Sequence, residues 1–380
     1  MSTSEPLSVV LAGGGTAGHV NPLLSVADEL RSREPQAKFL VLGTESGLEA
    51  DLVPERGYEL RAIPRVPLPR RPSTDLLRLP GRLTGAVRAA EAAIDEIGAR
   101  VVVGFGGYVS TPAYLAARRR GVPVVIHEQN ARPGLANRLG ARWAAAVGAT
   151  FPGTSLPGAV TVGLPLRAEI AALVAEREAD PAAARTRAAG ELGLDPHLPT
   201  VLVTGGSSGA LNVNRAVAGA AGELLAAGLQ VVHLTGRGKD EDVRTTVGAL
   251  AQTHDTSRYH VREYLSQMHL ALAAADLVVA RSGAGTVCEL AALGLPAVYV
   301  PLPIGNGEQR LNATGVVEAG GGVVVDDADL TPAWVAAQVP SLVGDQDRLA
   351  AMAAAAGSVG VRDAAARMAD MVTAAAGAAS

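Results

Sequence analysis

The chain of 380 residues contains one cysteine, Cys288, so no intrachain disulfide can form and nothing points to an oxidising compartment. Aromatic residues make up only 3%, which leaves Ala, Val and Leu to build the cores. Lysine is nearly absent, with Lys38 and Lys239 alone, so arginine carries almost all of the positive charge. Long apolar runs are missing too. Gly, Pro or charged residues break every hydrophobic stretch well short of the roughly 18 residues that a spanning helix needs. No transmembrane segment is expected, nor a signal peptide, because MSTSEPLSVVLAGGG has no basic segment ahead of a run only as long as a strand.

What is present reads as a globular protein: 48% hydrophobic and 18% charged residues. The length exceeds one compact core and suits two domains. A net charge of -4 hides an asymmetry, since residues 1–165 hold 18 basic against 14 acidic side chains and the remainder 15 against 23. Within the basic half, Arg61, Arg65, Arg70, Arg71, Arg78, Arg82 and Arg88 face one acid, Asp75, and are interleaved with Leu68, Leu76, Leu77 and Leu79. Leucines dipping into a lipid interface beside arginines on anionic headgroups is one reading, and the chance clustering of an arginine-rich chain is the other.

Short β-branched runs alternate with helical stretches: SVVLAG, KFLVLG, RVVVGF, PVVIHE and VTVGLP, then TVLVTG, VVHLTG, DLVVAR, AVYVPL and GVVVDD. Alternation of this kind implies parallel sheets covered by helices on both faces, and the number of runs suits two sheets. The first series ends near VGLPLR, which places a first domain at 1–165 and a second at 166–346, with helices from about 347–380 returning to the first. Both halves open with a strand, a glycine loop and a helix, as two versions of one Rossmann-type unit would.

Three glycine loops follow apolar strands: Gly13 to Gly18, Gly104 to Tyr108, and Gly205 to Gly209. At the carboxyl ends of parallel strands such turns let backbone amides meet a phosphate. Gly13, Gly15 and Gly18 fit G-x-G-x-x-G, and Glu45 lies where a ribose-binding acid would sit, so a nicotinamide or flavin enzyme is one alternative and a ligand-free turn another. His19 opens the helix after the first loop; the helix dipole holds it neutral, as a general base requires, although a purely capping role fits as well.

The run His127, Glu128, Gln129 and Asn130 ends an apolar strand where α/β sheets place ligand contacts, so Glu128 and Asn130 suit sugar hydroxyls or base catalysis, with a solvated loop as the alternative. In DLVVARSGAGTVCELAALGLP, Ser282 to Gly285 open a helix whose amides can receive phosphate, and Glu289 can grip ribose or answer the helix dipole. Glu308, Gln309 and Asn312 share one helix face and suit a hexose.

The segments GGGTAGHVNP, GFGGYVSTP, HEQN, VGLPLR, GGSSGA, RSGAGTVCELAALGLP and EQRLNA, in this order from residue 13 to about 313, resemble the MurG family of glycosyltransferases. The resemblance implies an α/β GT-B fold, two Rossmann-like domains with parallel sheets facing a central cleft. It implies inverting transfer of N-acetylglucosamine from UDP-GlcNAc to the C4 hydroxyl of the muramyl sugar in lipid I, giving lipid II for peptidoglycan, cell shape and division. By the same resemblance His19 is the first choice for base and Glu128 the second. Arg167 and Leu265 lie by the uracil, Ser207 contacts phosphate, Ala284, Gly285, Thr286, Val287, Cys288 and Glu289 hold ribose and diphosphate, and Gln309 meets the sugar. Thr16, Ala17, Gly18 and Asn130 complete the UDP-GlcNAc site from the acceptor side, and Gly14, Gly15, Gly106, Gly107 and Tyr108 face the acceptor. The chain departs from the family pattern at Ala17, Ser208 and Glu308, where glycine, glutamine and glutamine are usual.

No metal or other cofactor is expected: Asp327-Ala-Asp329 and Asp345-Gln-Asp347 have the Asp-x-Asp form of metal-dependent transferases, but both precede expected helices and suit capping. The implied partners are UDP-GlcNAc, lipid I, anionic lipids at the cytoplasmic membrane face and other wall-synthesis proteins, with no nucleic acid. A UDP-sugar epimerase, an NAD-dependent oxidoreductase and a non-catalytic UDP-sugar-binding protein are the competing readings.

Overall fold

The computed structural model describes residues 6–66 and 75–378, with the side chains of 75–79 left aside. The chain divides into two compact units, 1–167 with 362–380, and 168–361.

The first unit is built on seven parallel strands, β1 (Ser8–Ala12), β2 (Lys38–Gly43), β3 (Glu59–Ala62), β4 (Val101–Gly104), β5 (Val124–Glu128), β6 (Ala146–Ala149) and β7 (Ala159–Thr161), in the order β3-β2-β1-β4-β5-β6-β7. Between them run α1 (Ala17–Arg33), α2 (Glu49–Glu55), α3 (Asp75–Ile97), α4 (Ser110–Arg120) and α5 (Leu135–Gly140). Every residue of β1 and β5 is buried, the mark of strands covered on both faces. Val9 and Leu11 join α1 in one core layer, and Val10 and Ala12 join α3 and α4 in the other, as the twofold alternation of a strand requires.

The second unit carries six parallel strands, β8 (Thr200–Thr204), β9 (Gln230–Leu234), β10 (Tyr259–Arg262), β11 (Leu277–Ala280), β12 (Ala297–Tyr299) and β13 (Gly322–Val324), in the order β10-β9-β8-β11-β12-β13. Its helices are α6 (Ala168–Ala179), α7 (Pro181–Leu192), α8 (Leu211–Gly219), α9 (Ala221–Ala226), α10 (Glu241–Gly248), α11 (Met268–Ala274), α12 (Ala284–Leu293), α13 (Glu308–Glu318), α14 (Pro332–Gly344) and α15 (Gln346–Val359). Where α6 gives way to α7, Asp180 caps the new helix by accepting from the amides of Ala182 and Ala183, and Pro181 supplies a first-turn residue with no N–H to satisfy.

The last helix, α16 (Ala364–Gly377), returns to the first unit, where Met368, Ala369 and Val372 enter the layer beneath α1 and Arg33 pairs with Asp370. Of the stretch from 347 expected on the first unit, only the part from Arg362 lies there. Helix α15 stays with the second unit because Leu349, Met352 and Ala356 are buried, the first two within that unit's core. Three strands escape the apolar-run criterion: β3 and β10 are edge strands with charged or polar residues, and β6 is Ala-Val-Gly-Ala.

In each sheet the chain reverses its direction of strand addition once, between β1 and β4 in the first unit and between β8 and β11 in the second. Loops leaving the carboxyl ends of such a strand pair diverge to opposite faces and open a crevice, the place where open α/β sheets bind ligands. Gly13 to Thr16 and Phe105 to Val109 leave the first switch point, and Gly205 to Ala210 and Arg281 to Gly283 leave the second.

Candidate active site

In the first unit the two switch-point loops touch through glycine. Gly107 has φ +83°, and a Cβ there would stand 2.5 Å from the Gly14 carbonyl oxygen, so the backbones approach this closely because residue 107 carries no side chain. Ser110 ties the crevice together from below, its hydroxyl donating to the carbonyls of Ala12 at 3.1 Å and Gly106 at 2.7 Å.

Thr16 is the N-cap of α1, and His19 stands three residues on, its Nδ1 2.8 Å from the Thr16 hydroxyl. The amides of His19 and Val20 are directed to the Thr16 carbonyl, whereas those of Ala17 and Gly18 lie in the exposed first turn. Gly106, at φ +89°, leaves the far edge of the imidazole open, since a Cβ there would lie 3.1 Å from Nε2. His19 is neutral, with its pKa lowered to about 4. Burial is the main cause, and the nearby Glu49 charge opposes it. The helix dipole invoked from the sequence is not the leading reason.

Glu128 is buried and its carboxylate is already engaged. Oε1 accepts from the Asn130 amide at 3.0 Å, and Oε2 from the Gly134 amide at 3.0 Å and Asn137 Nδ2 at 2.9 Å. Asn137 also donates to the His127 carbonyl and accepts from the Tyr114 hydroxyl at 2.7 Å. Tyr114 in turn occupies the space that side chains at Gly104 and Gly140 would need. Glu128 thus holds the loop that carries Asn130, and its geometry departs from that of a base or a sugar ligand open to substrate. His127 is wholly buried and neutral, lowered to about 4 by burial, with Nε2 2.9 Å from the Gly163 carbonyl.

Sequence reasoning missed the residue that secures the first loop. Glu45, offered as the acid past the second strand, is exposed, while Glu49 is fully buried and accepts from the Gly15 amide at 2.9 Å. The only signal for it was an acid at a helix start. Tyr108 is 39% exposed and stacks against Arg65, whose guanidinium lies 4.8 Å from the ring centroid.

The second unit repeats the pattern with more open amides. Ser207 and Ser208 are exposed in the β8–α8 loop, and the Ser208 carbonyl accepts from Lys239 Nζ. Gly209 packs against the backbone of Thr235 and Gly236, and Asn214 fixes that approach by donating to the Thr235 carbonyl at 2.9 Å while its Oδ1 meets His233 Nε2. Across the switch point Gly283 caps α12, and the amides of Ala284, Gly285 and Thr286 precede the first α-helical bond, from Val287 to Gly283. Such first-turn amides, beside the exposed Ser207 and Ser208 loop, have the chemistry that suits an anion.

Ala284 and Val287 are buried and offer backbone only, whereas Thr286, Cys288 and Glu289 are partly exposed. Gln309 uses its Oε1 to accept from the Leu302 amide at 3.1 Å. Asn312, expected on a sugar, is buried and donates to the Ser282 carbonyl. Leu265 follows β10 and is partly buried, as is Arg167 at the end of the first unit.

Of the Asp-x-Asp pairs, Asp345 caps α15 by accepting from the Arg348 amide at 3.0 Å. Asp327 does not cap: it pairs with Arg281, Asp326 pairs with Arg310, and the cap of α14 is Thr331. In the arginine-rich stretch, Arg61 is committed to Glu96 and Glu59. Leu68, Arg70, Arg71, Leu76, Leu77, Arg78 and Leu79 lie outside the described side chains. No helix among the described residues is long and apolar enough to cross a membrane.

Residues 9–149 match the glycosyltransferase family 28 N-terminal domain and residues 200–368 the family's C-terminal domain. A UDP-N-acetylglucosamine--N-acetylmuramyl-(pentapeptide) pyrophosphoryl-undecaprenol N-acetylglucosamine transferase of Clavibacter sepedonicus is 58% identical over 364 residues, covering 96% of this chain and 95% of that one. The chain belongs to glycosyltransferase family 28, within its MurG group. The enzyme of the same name from Paenarthrobacter aurescens is 53% identical over 371 residues, covering 98% and 97% of the two chains. Among solved structures, MurG of Acinetobacter baumannii superposes with a TM-score of 0.75 at 27% identity, covering 97% of this chain and 99% of that one. A UDP-GlcNAc 2-epimerase from Neisseria meningitidis reaches 0.70 at 14% identity over 97% and 99%, a likeness of fold alone. Membership of family 28 accounts for the paired glycine loops in both units and for two parallel sheets of the GT-B kind.

Proposed function

We propose that this family 28 chain transfers N-acetylglucosamine from UDP-GlcNAc to the C4 hydroxyl of the muramyl sugar of lipid I, with inversion, producing lipid II. The observation that carries the reading is near-full-length identity of 58% to an enzyme so named. The epimerase shares the architecture at 14% identity, which supports a common fold and no common reaction.

The donor belongs to the second unit in this reading. The amides of Ser207 and of Ala284 to Thr286 receive the diphosphate and stabilise the charge that builds on departing UDP. Glu289 takes the ribose, Arg167 and Leu265 the uracil, and Gln309 the sugar. On the first unit, Thr16, Ala17, Gly18 and Asn130 contact UDP-GlcNAc, and the loops at Gly14, Gly15 and Gly106 to Tyr108 take the acceptor. His19 is the base. In the tautomer whose Nδ1–H donates to the Thr16 hydroxyl, 2.8 Å away, the Nε2 lone pair takes the hydroxyl proton as the oxygen attacks C1 and the C1–phosphate bond electrons leave with UDP. Burial keeps the ring neutral and also weakens it as a base, and the Glu49 charge works against that weakening. Glu128 acts through the loop it holds. The transfer runs without a metal in this account, and residues 66–88 meet anionic headgroups at the membrane where lipid I resides.

Incubation with UDP-GlcNAc, with and without a short-chain lipid I analogue, tests this reading. Release of UDP only when the acceptor is present is expected. Interconversion of UDP-sugars without an acceptor would move the activity to an epimerase, and binding without UDP release to a sugar-nucleotide-binding protein.

A further inference from the structure

We infer that Glu49 is the positioning carboxylate of the acceptor-side loop, holding Gly15 and, through it, Thr16 and His19 in the geometry that proton removal needs. The inference rests on the transferase reading and adds to it a residue in none of the seven motifs.

Glu49 begins α2 and is wholly buried. A carboxylate in such a place is costly unless hydrogen bonds replace its water. No Lys or Arg pairs with it among the described residues. Its partners are neutral donors from two segments: the Gly15 amide on Oε2 at 2.9 Å, and the Thr44 amide and hydroxyl on Oε1 at 3.0 and 2.7 Å. Burial pushes its pKa up, but these donors outweigh it and hold the group below the ordinary carboxylate value, as an anion.

Three glycines shape its seat. A Cβ on Gly14 would lie 2.6 Å from Oε1, one on Gly43 would lie 2.6 Å from Cγ, and one on Gly47 would overlap the carboxyl group. A leucine could fill a comparable volume and brace the fold. What a leucine cannot do is orient an N–H in an exposed loop, and that is where Glu49 is directed: Gly15 has φ +86°, and the next residue caps α1 and contacts His19. One fixed anion therefore sets the backbone immediately ahead of the base and lies near enough to favour the proton on its ring.

The test compares wild type with Glu49→Gln, which keeps the volume but turns an N–H toward donors, and with Thr44→Val, which removes only one donor. Kinetic constants for the lipid I analogue and for UDP-GlcNAc are measured along with UDP affinity, melting and the pH dependence of kcat/KM. Glu49→Gln is expected to lose on the order of 100-fold in kcat/KM for the acceptor, the scale of a small misplacement of reacting groups. Its acceptor KM should rise, UDP affinity should stay, and the acid limb should move to lower pH. Thr44→Val should lose about fivefold in the same constant, as one hydrogen bond warrants. A mere brace would lower kcat in step with the folded fraction, leave both KM values and the acid limb in place, and overturn the inference. If Glu49→Gln does not fold, Thr44→Val decides, and wild-type constants for it would likewise overturn the inference. Absence of transfer by the wild type would instead strike the transferase reading.

Discussion

At the scale of single residues, hydrogen-bond geometry separates groups that the sequence presents alike. His19, in the first turn of α1, and Glu128, at the end of β5, both suit base catalysis by type. They differ in engagement: both Glu128 oxygens already accept from Asn130, Gly134 and Asn137, whereas the His19 ring is held at Nδ1 by the Thr16 hydroxyl. Glu128→Gln should therefore retain UDP binding and melt at a lower temperature. It leaves a buried N–H facing another donor, which costs about 1–3 kcal/mol, and kcat should fall through the displaced Asn130 loop. Thermal scans and UDP titration check this. His19 must be neutral to act, so kcat/KM should hold as pH falls below 6.5 and decline only as pH approaches about 4. A decline centred near 6.5 would mean an exposed, ordinary histidine. Glu49, Asn137 and His233 were not legible in sequence, because a buried polar residue is recognised by the donors that reach it, and those come from distant segments.

At the scale of elements, strand and helix order was read well where strands are apolar and β-branched, as in β1, β4, β8 and β11. It was missed where position in the sheet relaxes that demand, as on the edge strands β3 and β10. The glycine loops were legible because a turn at φ above zero admits little else. Which loops meet was not, since strand order decides it. The meeting of Gly107 with Gly14 makes a prediction. Gly107→Ala introduces a left-handed residue at about 1–2 kcal/mol and a clash with the Gly14 carbonyl. Transfer activity should drop sharply, with UDP affinity in the other unit unchanged by titration. The arginine-rich segment makes another. Replacing Arg70, Arg71, Arg78 and Arg82 together by Gln should weaken binding to anionic vesicles by about 1 kcal/mol for each charge that reaches the surface. Co-sedimentation measures this, and unchanged binding would remove the segment from the membrane account.

At the scale of the whole molecule, two Rossmann-like units carry switch-point loops of different character. The first places a histidine and two separately anchored buried carboxylates, Glu49 and Glu128, by its loops, and the second presents the first-turn amides of α12 beside the exposed Ser207 and Ser208. That contrast fits a division between a unit that activates a hydroxyl and one that holds a diphosphate. Each unit also buries a neutral histidine, His127 lowered to about 4 and His233 to about 3, both by burial. The unfolded chain binds these protons below about 6.5 and the native one does not, so stability should fall as pH drops from 6.5 toward 4.

The most direct test of the central claim is the structure of the product formed from UDP-GlcNAc and a short-chain lipid I analogue, by mass spectrometry and by NMR of the new linkage. A GlcNAc–MurNAc disaccharide joined at C4 with the β configuration, opposite to that of the donor, is the expected product. An α-linked disaccharide would contradict single displacement by a hydroxyl activated at His19, and no disaccharide at all would contradict the transferase itself.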